Sequence, residues 1–519
     1  MKRINLKLIY RITLFLALMA ALASCVNDLD TVPLDEDIQT DISSDEDFDA
    51  LLAKCYSAFI LGGQSVNDAD IRSINVHFSS YLRQYWNLQE LPTDEAICAW
   101  DDGNLRDLHD MDWNSQNEFI TAMYSRINLE VTYCNKLIQL TQDKEQYSEH
   151  YFEARMLRAL SYWHLLDLFR TGPFVLEDDP VGSFFFPEQG SAGELFSFIE
   201  SELKAIEDEL PQPGGNEYGR ADRALAWMVL AKLYLNAEAY INEAKYTECL
   251  TYCNKIINSG NYFLEADYRN LFLADNHLRT NEIIFPICSD GKRIQQAVGM
   301  SFLIHAAIGG TMKGSDFGVS GGWGGNRTTS AFVTKFNDIS GETDSRAMFH
   351  TDGQTLEIEN VLTFTQGYTI TKYRNITSTG EAGSDAEYVD TDFPMFRYAD
   401  VLLMYAEAVL RGGSGGDSQT ALNYINTLRE RAYGDVSGNI SVSELTLDFL
   451  LDERSRELYW EGHRRSDLVR FGKLTGGTYL WPWKGAVAEG IATNSKYDVC
   501  PIPSTDINAN PNLIQNEGY

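Results

Sequence analysis

Apolar residues at helical spacing recur in two parts of the chain, and they restrict its fold more than any other feature. In YFEARMLRALSYWHLLDLFR, residues 151–170, Leu157, Leu160, Leu165 and Leu168 share one helical face. Segments of similar length, several of them alanine-rich, follow at 191–210, 220–237 and 242–260, and again at 393–413, 418–432 and 445–472. Successive helices joined by short turns stack as hairpins. The sequence therefore predicts a mainly all-α protein of tetratricopeptide-like helical hairpins.

The stretch between the two helical blocks, from about 260 to 395, has a different texture. Glycines cluster in IGGTMKGSDFGVSGGWGGNRTT, Pro and Asp punctuate the rest, and short pieces such as YTITKYRNI alternate in polarity. These patterns are typical of large irregular loops with a few short strands. No polar linker separates the helices from the loops, so we expect one large domain over residues 25–519.

The first 24 residues predict a signal peptide. Basic residues without any acid precede an apolar run at 12–23, which is too short to span a bilayer comfortably. The following LASC resembles a bacterial lipobox, in which the signal is cleaved before the cysteine and its sulfur takes a diacylglycerol. Cys25 would then anchor the mature protein to a membrane. The alternative is an ordinary secreted protein with a cysteine near its cleavage site by chance.

Charge excludes two classes of partner. The 519-residue chain is 44% hydrophobic, enough for a large core, yet it carries a formal net charge of -33. Removal of the basic signal peptide makes the mature part more negative still. Nucleic acid and anionic lipid head groups are therefore poor partners for its surface. The acids are dispersed through the periodic segments, which indicates a role in solubility.

The cysteines and acidic pairs do not predict a metal site. With Cys25 lipidated, an odd number of cysteines remains, which argues against a full disulfide framework. Cys249 and Cys253 lie one helical turn apart without a second ligand pair, so we interpret them as packed thiols. Asp101 and Asp102 lack the oxygen-ligand spacing of a calcium loop. We therefore predict no metal and no cofactor.

An enzyme is also disfavoured. Glu457, Glu461 and His463 are the most tempting catalytic group, but several arginines surround them, which favours a salt-bridged helix end. His164 lies on an apolar helix face without a ligand partner, so we expect a core histidine. No G-x-S-x-G, H-E-x-x-H or P-loop motif occurs.

Six motifs, spread in order over the whole chain, resemble the SusD/RagB family. They are CVNDLD, EARMLRALSYWHLLDLF, GRADRALAWMVLAKLYLNA, RYADVLLMYAEAVL, DERSRELYWEGHRRSDLVRFGK and PIPSTDINANPNLIQNEGY. The resemblance implies a lipid-anchored protein on the exterior of the outer membrane that binds glycan and caps a SusC-type TonB-dependent transporter. It also implies a helical core whose irregular loops carry the site.

Within that family, NLQELPTDEAICAWDDGN, GGWGGNRTTSAFVTKF, YLWPWKGA and HRRSDLVRFG look most like the starch-binding member. The resemblance carries its sugar contacts onto Arg83, Trp100 and Trp323, and near Asn104. A tyrosine that completes the aromatic arc in that member has no counterpart. This sequence offers Ala297 there, with Phe302 a few residues on.

The chemistry of the same residues suits a sugar. A sugar ring has an apolar C–H face and a rim of hydroxyls, so its site needs flat aromatic platforms edged by polar groups. Trp100 is followed by Asp102 and Asn104, glycines surround Trp323, and Arg83 can donate two hydrogen bonds to vicinal hydroxyls. We therefore predict these five residues as glycan-binding.

Two hypotheses from different classes follow. The first is a non-catalytic protein that binds glycan, with starch or maltooligosaccharide α-glucan as the leading ligand and another glycan as the variant. The second is a helical-repeat scaffold whose concave face binds protein. A helical glycoside hydrolase is a distant third.

Overall fold

The computed structural model describes residues 42–65, 68–71, 74–180 and 185–519. The signal peptide and Cys25 lie outside these residues, so both stay predictions. The chain separates into residues Met1–Ala50 and a second unit, Leu51–Tyr519. The core and the candidate site described below belong to this second unit.

Helices dominate the described residues and confirm the mainly α-helical prediction. In chain order they are α1 (Asp45–Ser57), α2 (Tyr81–Glu90), α3 (Arg106–Asp110), α4 (Glu118–Thr141), α5 (Ser148–Phe169), α6 (Ala192–Ile206), α7 (Arg223–Leu235), α8 (Ala237–Ile241), α9 (Tyr246–Ser259), α10 (Gly299–Ala306), α11 (Ser330–Val333), α12 (Tyr398–Leu410), α13 (Ser418–Tyr433), α14 (Leu447–Leu458), α15 (Arg464–Arg470) and α16 (Ser504–Ala509).

Capping residues define where several helices begin and end. At the start of α6, the Ser191 hydroxyl accepts a hydrogen bond from the Glu194 backbone N–H, and the Glu194 carboxylate accepts one from the Ser191 N–H. Asp222 accepts two backbone N–H groups at the start of α7. Gly260, with φ at 72°, ends α9 in the left-handed conformation that the sequence predicts for it.

Consecutive helices pack on one another and form the core. Helix α4 packs on α5, α5 on α6, α6 on α7, and α7 on α9. Helix α9 then contacts α12, which packs on α13, so the two helical blocks of the sequence form one stack. This succession agrees with the predicted tetratricopeptide-like hairpins. Within the described part of the chain, no helix has both the length and the apolar character needed to cross a membrane.

Short antiparallel strand pairs connect the loops. The strands are β1 (Gly63–Ser65), β2 (Asp68–Ala69), β3 (Ile97–Cys98), β4 (Gly172–Pro173), β5 (Gln189–Gly190), β6 (Ile283–Ile287), β7 (Asn326–Arg327), β8 (Phe349–His350), β9 (Thr369–Ile370) and β10 (Phe393–Arg397). They pair as β1–β2, β3–β7, β4–β5, β6–β10 and β8–β9. The region between the helical blocks is therefore mostly irregular with short strands, as its composition predicts. It also contains two short helices, α10 and α11, which the composition does not predict.

The last helical segment divides into two helices. Helix α14 ends at Leu458 and α15 begins at Arg464. Between them, Trp460 and Gly462 adopt positive φ angles of 62° and 78°. This break turns Glu461 into the core, where it meets residues from distant parts of the chain.

Carboxylates and guanidinium groups form a buried network at this break. Arg397, which is fully buried, donates hydrogen bonds to Glu457 (2.7 Å), Glu461 (2.6 Å) and Glu282 (2.8 Å). Lys372 donates to Glu461 at 2.7 Å. Burial alone raises the pKa of Glu457, but nearby guanidinium groups, including that of Arg397, outweigh it and hold the pKa well below its ordinary value.

The arrangement agrees with the interpretation of Glu457, Glu461 and His463 as a salt-bridged helix end. His463 is buried too, and its Nδ1 lies 3.1 Å from Lys232 Nζ. Burial and the Lys232 charge lower the pKa of His463 well below its usual value. A neutral imidazole among fully partnered carboxylates leaves no accessible acid–base pair here.

Two further sequence interpretations concern single side chains. His164 is completely buried, with Nδ1 at 2.6 Å from the Tyr81 hydroxyl, which confirms a core histidine. Burial lowers its pKa to about 3, so the ring is neutral. Cys249 and Cys253 are free, buried thiols with their sulfurs 4.0 Å apart, which confirms their packing role.

The network generates a prediction for stability. Arg397→Met leaves Glu457 and Glu461 buried with one cation fewer, and removing one partner of a buried ion pair costs about 3 to 5 kcal/mol. We therefore expect the free energy of unfolding, measured by urea denaturation with circular dichroism, to fall by that amount.

Lys204→Met is the matched control. Lys204 bonds Glu200 at 2.7 Å, but its side chain is 45% exposed, and a surface pair of this kind contributes only about 0.5 kcal/mol. Equal losses from the two variants would contradict a special contribution of the buried network.

Candidate functional site

Strand pairing brings Trp100 and Trp323 together, although they are far apart in sequence. Strand β3 pairs with β7, and beyond the pair the Ala99 N–H donates to the Gly325 carbonyl at 2.9 Å. The Trp100 Nε1–H then donates to the Trp323 carbonyl at 3.2 Å. The ring centroids are 6.5 Å apart and the ring planes are inclined by 42°. The two tryptophans thus form one tilted aromatic surface, called here the tryptophan platform.

His305 supports the platform from α10. Its ring stacks on Trp323 with centroids 4.8 Å apart and planes at 14°. The Trp323 N–H donates to the His305 carbonyl at 2.7 Å, so backbone and side chain both hold the tryptophan. Trp323 nevertheless remains 36% exposed. The sequence does not indicate this role of His305, because nothing in the helical pattern of α10 relates it to a tryptophan in a later loop.

The glycines around Trp323 permit this close packing. A Cβ atom at Gly325 would lie 2.5 Å from ring atoms of Trp100, and one at Gly322 would lie 2.1 Å from the Ile308 carbonyl oxygen. Both distances are shorter than real Cβ contacts. By contrast, a Cβ at Gly321 meets no atom within 4 Å. Glycine is therefore required at positions 322 and 325 for this close packing, whereas position 321 has room for a side chain.

Arg83 and Phe302 lie against Trp100. The Arg83 guanidinium carbon is 4.2 Å from the Phe302 ring centroid and 6.0 Å from that of Trp100. Arg83 also donates to the His77 carbonyl at 2.7 Å and is only 4% exposed, and burial lowers its pKa to about 10. The Trp100 and Phe302 centroids are 6.0 Å apart. Phe302 thus supports the platform from below the protein surface. Ala297, which the sequence offers at the position of the missing tyrosine, is half-buried just before α10.

Asp102 and Asn104 occupy the loop that follows Trp100. Asp102 is exposed, and its negative charge favours the protonated form of Arg83. Asn104 Oδ1 accepts the Glu118 N–H at 3.0 Å, and the Asn104 carbonyl accepts the Asn117 side-chain amide at 2.9 Å. Asn104 therefore helps to start α4, while Asp102 faces solvent on the same loop as Trp100.

Among the residues that the structure describes, one group of metal-ligand residue types lies elsewhere. Cys55, Glu130 and Cys134 are buried, with possible ligand atoms within 4.8 Å of one another. The Cys134 thiol donates to Glu130 at 3.2 Å. Burial raises the pKa of Glu130 to about 8 and that of Cys134 well above its usual value. The trio is therefore held as neutral, hydrogen-bonded side chains inside the core, separate from the platform.

Comparison with known proteins identifies the family. The sequence signature of the SusD family matches residues 338–519. The starch-binding protein SusD of Bacteroides thetaiotaomicron is 33% identical, with 100% of both chains covered. SusD-like protein P2 of Formosa agariphila is 25% identical over 80% of this chain and 84% of its own.

Solved structures share the fold. Surface glycan-binding protein A from Bacteroides thetaiotaomicron, in complex with laminarihexaose, superposes with a TM-score of 0.69 at 20% identity, covering 91% of this chain and 100% of its own. A SusD superfamily protein from Parabacteroides distasonis gives a TM-score of 0.71 at 21% identity, covering 92% and 100%. The 33% identity over the full length of one relative, together with the family signature at residues 338–519, shows that the chain belongs to the SusD family of glycan-binding proteins.

Proposed function

We propose that the protein binds α-glucan, as starch or maltooligosaccharide, on the tryptophan platform. The observation that carries this proposal is the contact between Trp100 and Trp323, which the β3–β7 pairing holds in place. The 33% identity to a starch-binding relative over the whole chain supports the choice of ligand.

The geometry suits a curved sugar chain. Each sugar ring can lay its C–H face on an indole, while its hydroxyls reach polar groups at the rim. The 42° inclination of the two indole planes matches a chain that bends between successive rings better than a flat ribbon. Chains of α-1,4-linked glucose bend in this way.

Polar residues near the platform supply the rim. Asp102 is exposed and free to accept hydroxyl hydrogen bonds. Arg83 and Asn104 are more enclosed than Asp102, so we assign each of them a contact with a sugar hydroxyl only through its exposed edge. Arg83 also positions Trp100, and Asn104 positions the loop that follows it. Phe302 provides a third aromatic ring beside Trp100, but this ring lies below the protein surface.

The family also determines the kind of activity. SusD family members are carbohydrate-binding proteins and not enzymes. We further propose that this chain is anchored through Cys25 on the exterior of the outer membrane and delivers glycan to a SusC-type TonB-dependent transporter. The Cys25 lipobox and the family resemblance support this location, and nucleic acid has no part in it.

Binding measurements test the ligand and the site together. Isothermal titration of residues 26–519 with maltoheptaose, cyclic maltooligosaccharide, levan, dextran and laminarihexaose should show saturable binding of the α-1,4-glucans. Trp100→Ala and Trp323→Ala should each weaken it at least tenfold, about 1.4 kcal/mol. Phe263→Ala removes an aromatic ring that is 62% exposed away from the platform and should leave binding unchanged.

Other outcomes select among the alternatives. Binding of levan, dextran or laminarihexaose in place of the α-1,4-glucans would retain a glycan binder and reject starch. A folded protein that binds none of these glycans would favour the helical-repeat scaffold whose partner is a protein. Release of shorter sugars by the purified protein would revive the glycoside hydrolase.

Glycine substitutions test the platform without removing an indole. Gly325→Ala should displace the Trp100 ring, because the new Cβ lies 2.5 Å from it. We expect an altered near-ultraviolet circular dichroism spectrum and at least fivefold weaker glycan binding. Gly321→Ala meets no atom within 4 Å and serves as the control. Equal effects of the two changes would show that the Gly325 contact is unimportant.

The anchor has its own test. Expressed in a lipoprotein-processing bacterium, the wild-type chain should incorporate labelled palmitate and fractionate with membranes. Cys25→Ala should abolish both. Cys288→Ala removes an exposed free thiol within the fold and should change neither. Membrane association of unlabelled Cys25→Ala protein would reject lipid anchoring at this residue.

A further inference from the structure

One cavity lies in the loop region, and none of its lining residues belongs to the tryptophan platform. It has a volume of about 330 Å³, and its lining includes Thr311, Lys313, Phe349, His350 and Arg374. This volume lies at the lower end of the range for small-ligand pockets, about 300 to 1,000 Å³. It is large enough for a single small group or sugar ring.

The walls of the cavity are held by backbone hydrogen bonds. Strands β8 and β9 pair on one side, and the Thr371 N–H donates to the Met348 carbonyl at 2.9 Å. The Arg374 N–H donates to the Phe272 carbonyl at 3.0 Å, and the neighbouring Asn375 N–H donates to the Phe317 carbonyl at 2.9 Å. The walls that carry Phe349 and Arg374 are therefore held by paired backbone, while Lys313 lies on an exposed loop at the edge of the cavity.

Arg374 is the central group. Its guanidinium carbon lies 5.0 Å from the Phe317 ring centroid, and its Nε donates to the Thr371 carbonyl at 3.3 Å. Within the described residues, neither of its terminal nitrogens has a hydrogen-bond partner and no carboxylate lies within 4.0 Å. Buried arginines elsewhere in the fold differ, since Arg346 and Arg397 each bind several carboxylates.

The charge around Arg374 is unbalanced. Lys313 is exposed at the cavity and forms no ion pair with the described residues. Asp316 is the one acid among the described lining residues, and its charge acts on Arg374 from beyond ion-pair distance. Burial and the nearby Arg269 charge lower the pKa of Arg374. In a chain with 75 acids and 42 basic residues, two unpaired cations in one cavity are unexpected.

The remaining polar groups are held in place. The Thr311 hydroxyl donates to the Asp352 carbonyl at 2.8 Å, and His350 Nε2 lies 3.0 Å from the same hydroxyl. A planar guanidinium with free terminal N–H groups matches the geometry of a carboxylate, sulfate or phosphate, and a nearby ammonium adds a point charge. Phe349 supplies an apolar wall that could contact the body of a sugar.

We propose that this cavity binds an oxyanion, a carboxylate, sulfate or phosphate group, through Arg374 and Lys313. The group is either a substituent of an acidic sugar or a free inorganic ion. This site is independent of α-glucan binding, because it shares no lining residue with the platform.

Titration calorimetry at constant ionic strength tests the proposal. The probes are trigalacturonate, inorganic sulfate, inorganic phosphate and neutral maltotriose, each titrated into residues 26–519. Saturable binding of at least one anion is expected, with at least tenfold weakening in Arg374→Gln and several-fold weakening in Lys313→Gln. Because Lys313 is exposed, the second variant tests the site even where Arg374→Gln folds poorly.

Controls separate the possible outcomes. Arg293→Gln removes one positive charge from a side chain that is 88% exposed and should leave anion binding unchanged. Trp100→Ala should leave it unchanged as well, so failure of the α-glucan proposal would not affect this test. Tighter binding of trigalacturonate than of the inorganic ions would identify an acidic sugar as the source, and the reverse order would identify a free ion.

Three results would overturn the proposal. They are the absence of anion binding, anion binding that is equal in all three charge variants, and binding of maltotriose alone with sensitivity to Arg374→Gln. The last would reassign the cavity to a neutral sugar.

Discussion

The pairing of buried acids with buried arginines is the interaction on which the rest of the structure depends. Arg397 at the end of β10 holds both Glu457, in the last turn of α14, and Glu461, within the break that follows it, and Arg346 reaches Glu457 from a preceding loop. Each of these ions loses its hydration on burial, a penalty of several kcal/mol that only complete pairing offsets. The network therefore tolerates one arrangement of helices and loops and penalises the loss of any partner.

A second set of buried ions connects this core to the tryptophan platform. Arg464 of α15 donates two hydrogen bonds to Asp94, at 2.7 and 2.9 Å, and the Trp460 Nε1–H donates to the Glu95 carbonyl at 3.0 Å. Burial opposes ionisation of Asp94, yet Arg464 holds its pKa well below the ordinary value. These contacts fix the segment that leads into β3 and Trp100. Rigid support lowers the ordering cost when a flexible sugar binds.

Binding chemistry on this surface follows from its charge and shape. A strongly acidic chain gains solubility, and a neutral glycan is indifferent to that charge. Platform contacts are apolar and act at short range, so they are little affected by the field of the whole protein. The Arg374 cavity is different in kind, because it concentrates positive charge locally within an acidic surface. At physiological ionic strength, charges more than about 8 Å away are largely screened, so the local cations dominate there.

Local sequence patterns determined the helices and the chemistry of the candidate residues. Helical spacing predicts α5, α6, α7, α9, α12 and α13. The helix end at Gly260 and the ion pairs around Glu457 also follow from the sequence, because caps, apolar stripes and charge clusters act over a few residues. The domain limits and the sugar contacts of the five predicted residues stay predictions. Only the tertiary structure decided that Trp100 meets Trp323, that His305 stacks beneath it and that Arg83 is enclosed. It also decided that Lys313 and Arg374 share a cavity. These contacts join residues far apart in the chain, and long-range strand pairing and side-chain packing, which no local pattern encodes, bring them together.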